Sequence, residues 1–183
     1  MRRLIPCMTV AAENNAHFTA WMAEHAGILD RVARSHARSE RERDDLRREL
    51  AYQVWLSVAR FSGTARPSTW IYRVCLNTAL TWRRDHGRRE RRIETGAEVD
   101  TLHATTLDPA AGTERGDLLE HVFAALRTLP DPDRALLLLQ LDGLPHREIA
   151  EILGLTENHV GVALHRARQR LTRQLKGILN ELE

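Results

Sequence analysis

The stretch Pro145-His146-Arg147-Glu148-Ile149-Ala150-Glu151-Ile152-Leu153-Gly154-Leu155-Thr156-Glu157-Asn158-His159-Val160 decides how the chain is read. Ile149, Ile152 and Leu153 recur at helical spacing, so residues 145–153 predict a short helix with one apolar face. Gly154 follows, a residue that adopts the positive φ of a sharp turn at no steric cost. Thr156 then stands where an N-cap belongs, and Val160, Leu164, Ala167, Leu171 and Leu175 form the stripe of a second, longer helix. Ala150 is small where two helices must cross closely, and Val160 fills the corner between them. This spacing predicts a helix-turn-helix.

The second helix leaves Asn158, His159, Gly161, Val162, His165, Arg166 and Gln169 off its apolar stripe and continues with Arg168, Arg170 and Arg173. Such a helix suits the major groove, with its first turns at base edges and its later cations at phosphates. A solvated charged face on an ordinary bundle helix is the bland alternative. It accounts for the charge but not for the turn that accompanies it.

Working outward, Leu119, Val122, Phe123, Leu126 and Leu129 predict a helix stopped at Pro130, and Pro132 and Asp133 open another that ends near Gly143. Far upstream, Phe18, Met22, His25, Ile28, Leu29 and Val32 predict a helix over 15–37. Leu46, Leu50, Val54, Trp55 and Val58 predict a second after a charged turn at 39–44. Residues 61–67 are loop chemistry. Ser68 or Thr69 is placed to cap a third helix starting near Trp70, which runs into the block Arg83, Arg84, Arg88, Arg89, Arg91 and Arg92. Periodicity fades between about 86 and 116. The fold class is therefore all-α: two small helical bundles, 15–92 and 117–178, joined by a flexible linker over 93–116, the C-terminal one a helix-turn-helix. About thirty coil residues have a root-mean-square span near 30 Å and stretch to roughly 100 Å.

The whole-chain numbers agree. The 183 residues, 43% hydrophobic and 28% charged, allow two modest cores, and the net charge of +2 conceals an arginine block followed by an acidic stretch. Cys7 and Cys75 form no closely spaced pair, and the nine histidines include no helical pair with a matching third ligand, so neither a disulfide framework nor a metal site nor a cofactor is expected. No run approaches a membrane span and no signal peptide is legible, which predicts a cytoplasmic protein without direct membrane insertion. No phosphate loop or nucleophile elbow is present, so no enzyme is expected.

Two sets of residues resemble one known family. Leu129-Pro130, Arg134, Leu141-Asp142-Gly143-Leu144, residues 148–157 and Leu164-His165-Arg166-Ala167-Arg168 are similar to the C-terminal domain of bacterial RNA polymerase sigma factors, and more narrowly to their extracytoplasmic-function group. Asp45-Leu46, Glu49, Trp55, Phe61, Gly63, residues 68–74 and Asn77 are similar to that group's promoter-melting domain. The resemblance spans about Phe18 to Lys176 and implies core RNA polymerase and promoter DNA as partners, with an anti-sigma protein that holds the chain at the inner face of the membrane.

It also implies roles. Thr156, Asn158, His159, Gly161, Val162, His165, Arg166 and Gln169 would read the −35 element. Phe61, Ser62, Gly63, Asn77, Arg83 and Arg84 would serve the −10 element and its melting, and Asp45, Glu49 and Gln53 would dock on the polymerase. Extruding a base costs a few kcal/mol of stacking, which the loop must repay. Phe61 is balanced between stacking on bases and packing in the core, whereas Trp70 and Tyr72 read as core. Two elements somewhat under two duplex turns apart lie about 60 Å from each other, within the linker's reach. Pro145 replaces the family's frequent capping serine, leaving Glu148 without half of a capping box. A stand-alone helix-turn-helix regulator is the alternative. It would need none of the N-terminal motifs and would normally pair on a palindrome. A decoy that binds polymerase without melting DNA is the third reading.

Overall fold

The computed structural model describes the backbone of residues 6–94 and 114–180, and the side chains of residues 14–86 and 119–175. Among the described residues every regular element is a helix: α1 (Pro6–His36), α2 (Glu40–Val58), α3 (Pro67–Glu94), α4 (Glu114–Thr128), α5 (Asp131–Leu141), α6 (His146–Leu153) and α7 (Glu157–Asn180). The heart of the expected linker, residues 95–113, lies outside them, and its two ends prove helical, in α3 and α4.

The first three helices pack on one another because each carries a stripe at i, i+3, i+4 spacing. Ile28, Leu29, Val32 and Ala33 of α1 meet Leu46, Leu50, Val54 and Val58 of α2 and Ile71, Cys75, Leu76 and Ala79 of α3, all buried. Ser39 starts α2 by accepting the Glu42 amide on its hydroxyl at 3.2 Å, so the expected charged turn is instead the helix's first turn. Trp55 leaves the stripe and is partly exposed, with its indole donating to Asn15 at 2.7 Å. The start of α3 also differs from expectation: Pro67 is its first residue, and Ser68 and Thr69 lie inside the helix. Proline's fixed φ suits that position, where its missing N–H costs nothing.

In the second half, α7 packs against α4, α5 and α6. Leu126, Leu138, Leu139, Ile149, Val160, Leu164 and Ala167 fill the middle. The end of α4 is held by Arg134, only 1% exposed, whose guanidinium donates to the carbonyls of Leu126 at 3.0 Å, Arg127 at 3.0 Å and Leu129 at 2.7 Å. A buried cation is tolerable there because helix C-terminal carbonyls concentrate partial negative charge. Burial, and then the nearby Arg83, push its pKa down to about 10, which leaves it charged at neutral pH.

The two halves do not stand apart. Helix α3 packs on α6, and α1 packs on α4 and α5, so the buried residues of both halves form one connected cluster.

Candidate nucleic-acid interface

The helix-turn-helix forms as its sequence predicts. Gly154 has φ 68° and ψ 33° and ends α6, Thr156 accepts the His159 amide on its hydroxyl at 3.3 Å to start α7, and Val160 is fully buried at the corner. Pro145 sits at the N-cap of α6 rather than at its first turn, with no side-chain cap. Asn158, His159, Val162, His165, Arg166 and Gln169 are exposed on one side of α7, and Val162 presents 55% of its surface to solvent. His165 and Gln169 are neighbours along that face at 3.0 Å. Two expectations change. Gly161 is half covered, 3.9 Å from the His146 ring as measured from where a Cβ would stand. Arg170, read as a phosphate cation, is tied back to Asp133.

Residues of the expected melting segment divide. Gly63 takes φ 74° at the loop apex, and the Ser62 and Thr64 hydroxyls bond to each other at 2.9 Å, so Ser62 and Gly63 face solvent. Phe61 packs instead of projecting: its ring lies edge-on to Trp21 at 5.0 Å and to Trp70 at 5.7 Å, in the geometry aromatic quadrupoles favour. Trp70 in turn donates to Ser57 at 2.9 Å, which locks the corner. Asn77 is exposed on α3. Arg84 folds along its own helix, donating to the Leu80 carbonyl and to Thr81, each at 3.3 Å, while Arg83 leaves its helix to pair with Asp131.

Asp45, Glu49 and Gln53 share one side of α2, as their spacing requires. Together with Asn77, Thr81 and Trp82 of α3 they line an open groove, and Gln53 donates to Glu49 at 2.9 Å. Asp45 also pairs with Arg48 at 3.2 Å within the same helix. The structure therefore brings Asn77 and the three α2 residues to one groove, a proximity that sequence spacing does not reveal.

The same holds for a further set of charged residues. Arg31 of α1 and Tyr72 of α3 converge on the Asp142 carboxylate, which is 8% exposed. Burial, above all, lifts the Tyr72 phenol well above its ordinary pKa, so the hydroxyl remains a donor. Arg66 pairs with Glu148 at 2.6 Å, Arg73 donates to the Glu151 carbonyl at 3.1 Å, and Glu120 receives Arg43 at 3.2 Å. Glu148, which lacks a capping serine to answer, turns its carboxylate to the other half of the chain. No local pattern marks these partners, all of which lie 70 or more positions apart.

Among the described residues no group of His, Cys, Asp and Glu is arranged to hold a metal ion, and no helix is long and apolar enough to cross a membrane. Cys75 is fully buried and burial raises its thiol pKa well above the usual value, so it lacks the thiolate character of a reactive cysteine.

The Sigma-70 region 2 family matches residues 21–89, and the Sigma-70 region 4 family matches residues 120–171. The ECF RNA polymerase sigma-E factor of Haemophilus influenzae is 28% identical over 162 residues, covering 84% of this chain and 82% of that protein. The chain belongs to the sigma-70 family, in its extracytoplasmic-function group. The ECF RNA polymerase sigma-E factor of Escherichia coli K12 is 25% identical to this sigma factor over 146 residues, with 74% of each protein covered. Two solved structures share the fold. The sigma factor RpoE of Bartonella quintana, in complex with the anti-sigma factor NepR, has a TM-score of 0.64 at 19% identity, covering 87% of this chain and 97% of that one. CnrH in complex with the cytosolic domain of CnrY has a TM-score of 0.61 at 22% identity, covering 93% and 94%. The glycine-apex loop and most of α3 fall inside the region 2 match, and α6, the turn and α7 as far as Leu171 fall inside the region 4 match.

Proposed function

We propose that this sigma factor brings core RNA polymerase to a class of promoters by holding the −35 element on α7 and opening the −10 element at the 61–66 loop and α3. The observation that carries the reading is the exposed face of α7, from Asn158 to Gln169, mounted on a capped helix-turn-helix in the same chain as a region 2 module. Asn158, His159, His165, Arg166 and Gln169 offer hydrogen bonds to base edges, Val162 offers an apolar contact for a thymine methyl, and Gly161 gives close backbone approach. Thr156 supports them by capping the helix.

Ser62, Gly63 and Asn77 are the groups placed to receive an extruded base, with Arg84 and Arg83 for the backbone beside it. Phe61 supports the loop from behind through Trp21 and Trp70. Asp45, Glu49 and Gln53 are the docking face for polymerase. Residues 15–92 and 117–178 are the two functional modules and 93–116 their tether. Catalysis belongs to the polymerase, so the chain itself is not an enzyme and works without a cofactor. It acts in the cytoplasm. RpoE of Bartonella quintana is held by the anti-sigma factor NepR and CnrH by the cytosolic domain of CnrY, which supports a cognate anti-sigma partner here, anchored at the inner membrane face.

The test is transcription with purified core polymerase over a library of genomic fragments. Discrete start sites that share an upstream element are expected. No start on any fragment, together with tight binding of a short duplex by the chain alone, overturns the reading in favour of a stand-alone regulator.

A further inference from the structure

The described carboxylates of the C-terminal half are nearly all engaged by arginines. Glu120 of α4, Asp131 and Asp133 of α5, and Asp142 in the turn after α5 each have one. On α6, Arg66 holds Glu148 and Arg73 approaches Glu151 at 4.0 Å. Among the described residues of that half only Glu157, in the first turn of α7, is a carboxylate without a partner. The exposed face of α7 therefore carries cations and imidazoles with almost no acid between them.

Three of those side chains are histidines. His159 and His165 stand three positions either side of Val162, so both border that exposed apolar contact. His146, the first residue of α6, joins them from another helix, its ring 3.9 Å from where a Cβ on Gly161 would stand. A long side chain at 161 would fill that seat, so the glycine leaves room for a third imidazole beside the other two. All three are exposed, and no ring meets a carboxylate. His165 touches the Gln169 amide nitrogen at 3.0 Å, a bond that only the neutral ring accepts; turning the amide over offers its oxygen to a charged ring. The fixed cations nearby, Arg147, Arg166 and Arg168, are exposed and unpaired as well.

We propose that the helix-turn-helix takes up protons as it binds DNA: His146, His159 and His165 become imidazolium at phosphates and base edges, and the grip tightens as pH falls from 8 toward 6.5. The inference rests on the assignment of α7 to the −35 element and adds proton binding to it.

Histidine is the side chain whose charge ordinarily changes between pH 5 and 8. A neutral imidazole has one donor and one acceptor, whereas imidazolium has two donors, which suit phosphate oxygens and the N7 and O6 acceptors of guanine. Each ring takes one proton from solvent, and each phosphate it neutralises releases counterions. The added affinity is present at the acid end of the window and lost as pH rises, by up to about ten-fold per unit for each coupled histidine. Arginine at the same positions would make a grip indifferent to pH.

The experiment binds the full-length chain to a fluorescent non-specific duplex and, with core polymerase, to a promoter fragment found by the transcription assay, at pH 8 and pH 6.5. His36 leaves stability essentially intact over that window, so a change in binding is not a change in folding. At pH 6.5 binding at least about ten-fold tighter is expected. The salt slope should steepen by about 0.9 for each imidazolium that meets a phosphate. His146→Gln/His159→Gln/His165→Gln should bind at both pH values as the wild type does at pH 8. His159→Arg/His165→Arg should bind tightly at both, with most of the pH dependence gone. His17→Gln, at an exposed position of α1, should keep the wild-type ratio.

A pH ratio that survives in the glutamine variant, an equal salt slope at the two pH values, or an arginine variant as pH-dependent as the wild type overturns the proposal. Transcription is scored separately. If discrete start sites are used while no histidine carries the pH ratio, proton uptake alone is wrong. If the ratio follows the histidines on the non-specific duplex but no start site is found, the sigma-factor reading fails and not the proton uptake.

Discussion

Tyr72 donates its hydroxyl hydrogen to Asp142 across 70 positions of sequence, and Arg31 reaches the same carboxylate. Asp142 belongs to the turn after α5, so the contact ties the N-terminal bundle to the approach of the helix-turn-helix. Tyr72→Phe removes one donor and leaves the ion pair. Asp142→Ala strands a half-buried guanidinium. Losses of about 1 and about 2 kcal/mol are expected in urea unfolding, in that order, as hydrogen bonds to charged groups imply. Equal stability of all three proteins would remove this link from the architecture.

Arg134 is the costlier residue to lose. Of its three backbone acceptors at the end of α4 the Leu126 carbonyl also takes the Leu129 amide at 3.1 Å, but Arg134→Ala strips the Arg127 and Leu129 carbonyls of this donor, and Arg134→Lys, with one compact ammonium, cannot span all three. We expect a loss of about 3–5 kcal/mol for the alanine variant and little recovery with lysine, read by circular dichroism during denaturant titration.

His36 makes stability depend on pH. Burial, and then the charge on Arg134, hold its pKa down to about 4, from the model-peptide value of 6.5. The folded chain refuses a proton that the unfolded chain accepts. Stability is therefore intact above pH 6.5 and is lost progressively as pH falls from there to about 4, by about 3 kcal/mol in all. Unfolding midpoints of the wild type and His36→Gln, compared between pH 7 and pH 5, check this. Parallel profiles would contradict it.

The glycines near the turn should respond in opposite ways. Gly154→Ala forces a side chain into φ 68° and should cost about 1 kcal/mol. Gly161→Ala puts a methyl at ordinary contact distance, 3.9 Å, from His146 and replaces a helix-weakening residue, for a gain of about 0.5–1 kcal/mol. Thermal midpoints moving down for the first and up for the second are the expected result.

For promoter reading, Arg166 is exposed and makes no contact that the fold requires. Arg166→Ala should lower transcription from the preferred promoters by roughly 5- to 150-fold, the value of one good base contact, while leaving the thermal midpoint unchanged. Undiminished transcription in a run-off assay would take Arg166 out of the reading surface.

The candidate site was legible where chemistry is local. Gly154, Thr156 and Val160 stand within seven residues, and their roles as turn, cap and corner follow from backbone sterics and hydrogen bonding that neighbours alone enforce. The exposed face of α7 follows from the position of its stripe, except that Gly161 is shaded by a residue of another helix. Phe61 was balanced between two roles because an aromatic after a helix carries no mark of which it serves. Its neighbours Trp21 and Trp70 decide for packing.

By itself, then, the sequence determined the helices, the turn between α6 and α7, and the two matched modules, because apolar period, caps and glycine conformations are encoded within a few residues. Only the tertiary structure decided that the modules lie against each other, that Glu148 answers Arg66 and Asp142 answers Tyr72, and that Asn77 shares a groove with Asp45, Glu49 and Gln53. Pairing between charges far apart in the chain depends on how whole helices dock. The energy that docks them comes from buried surface summed over both halves, a quantity no short stretch of residues contains.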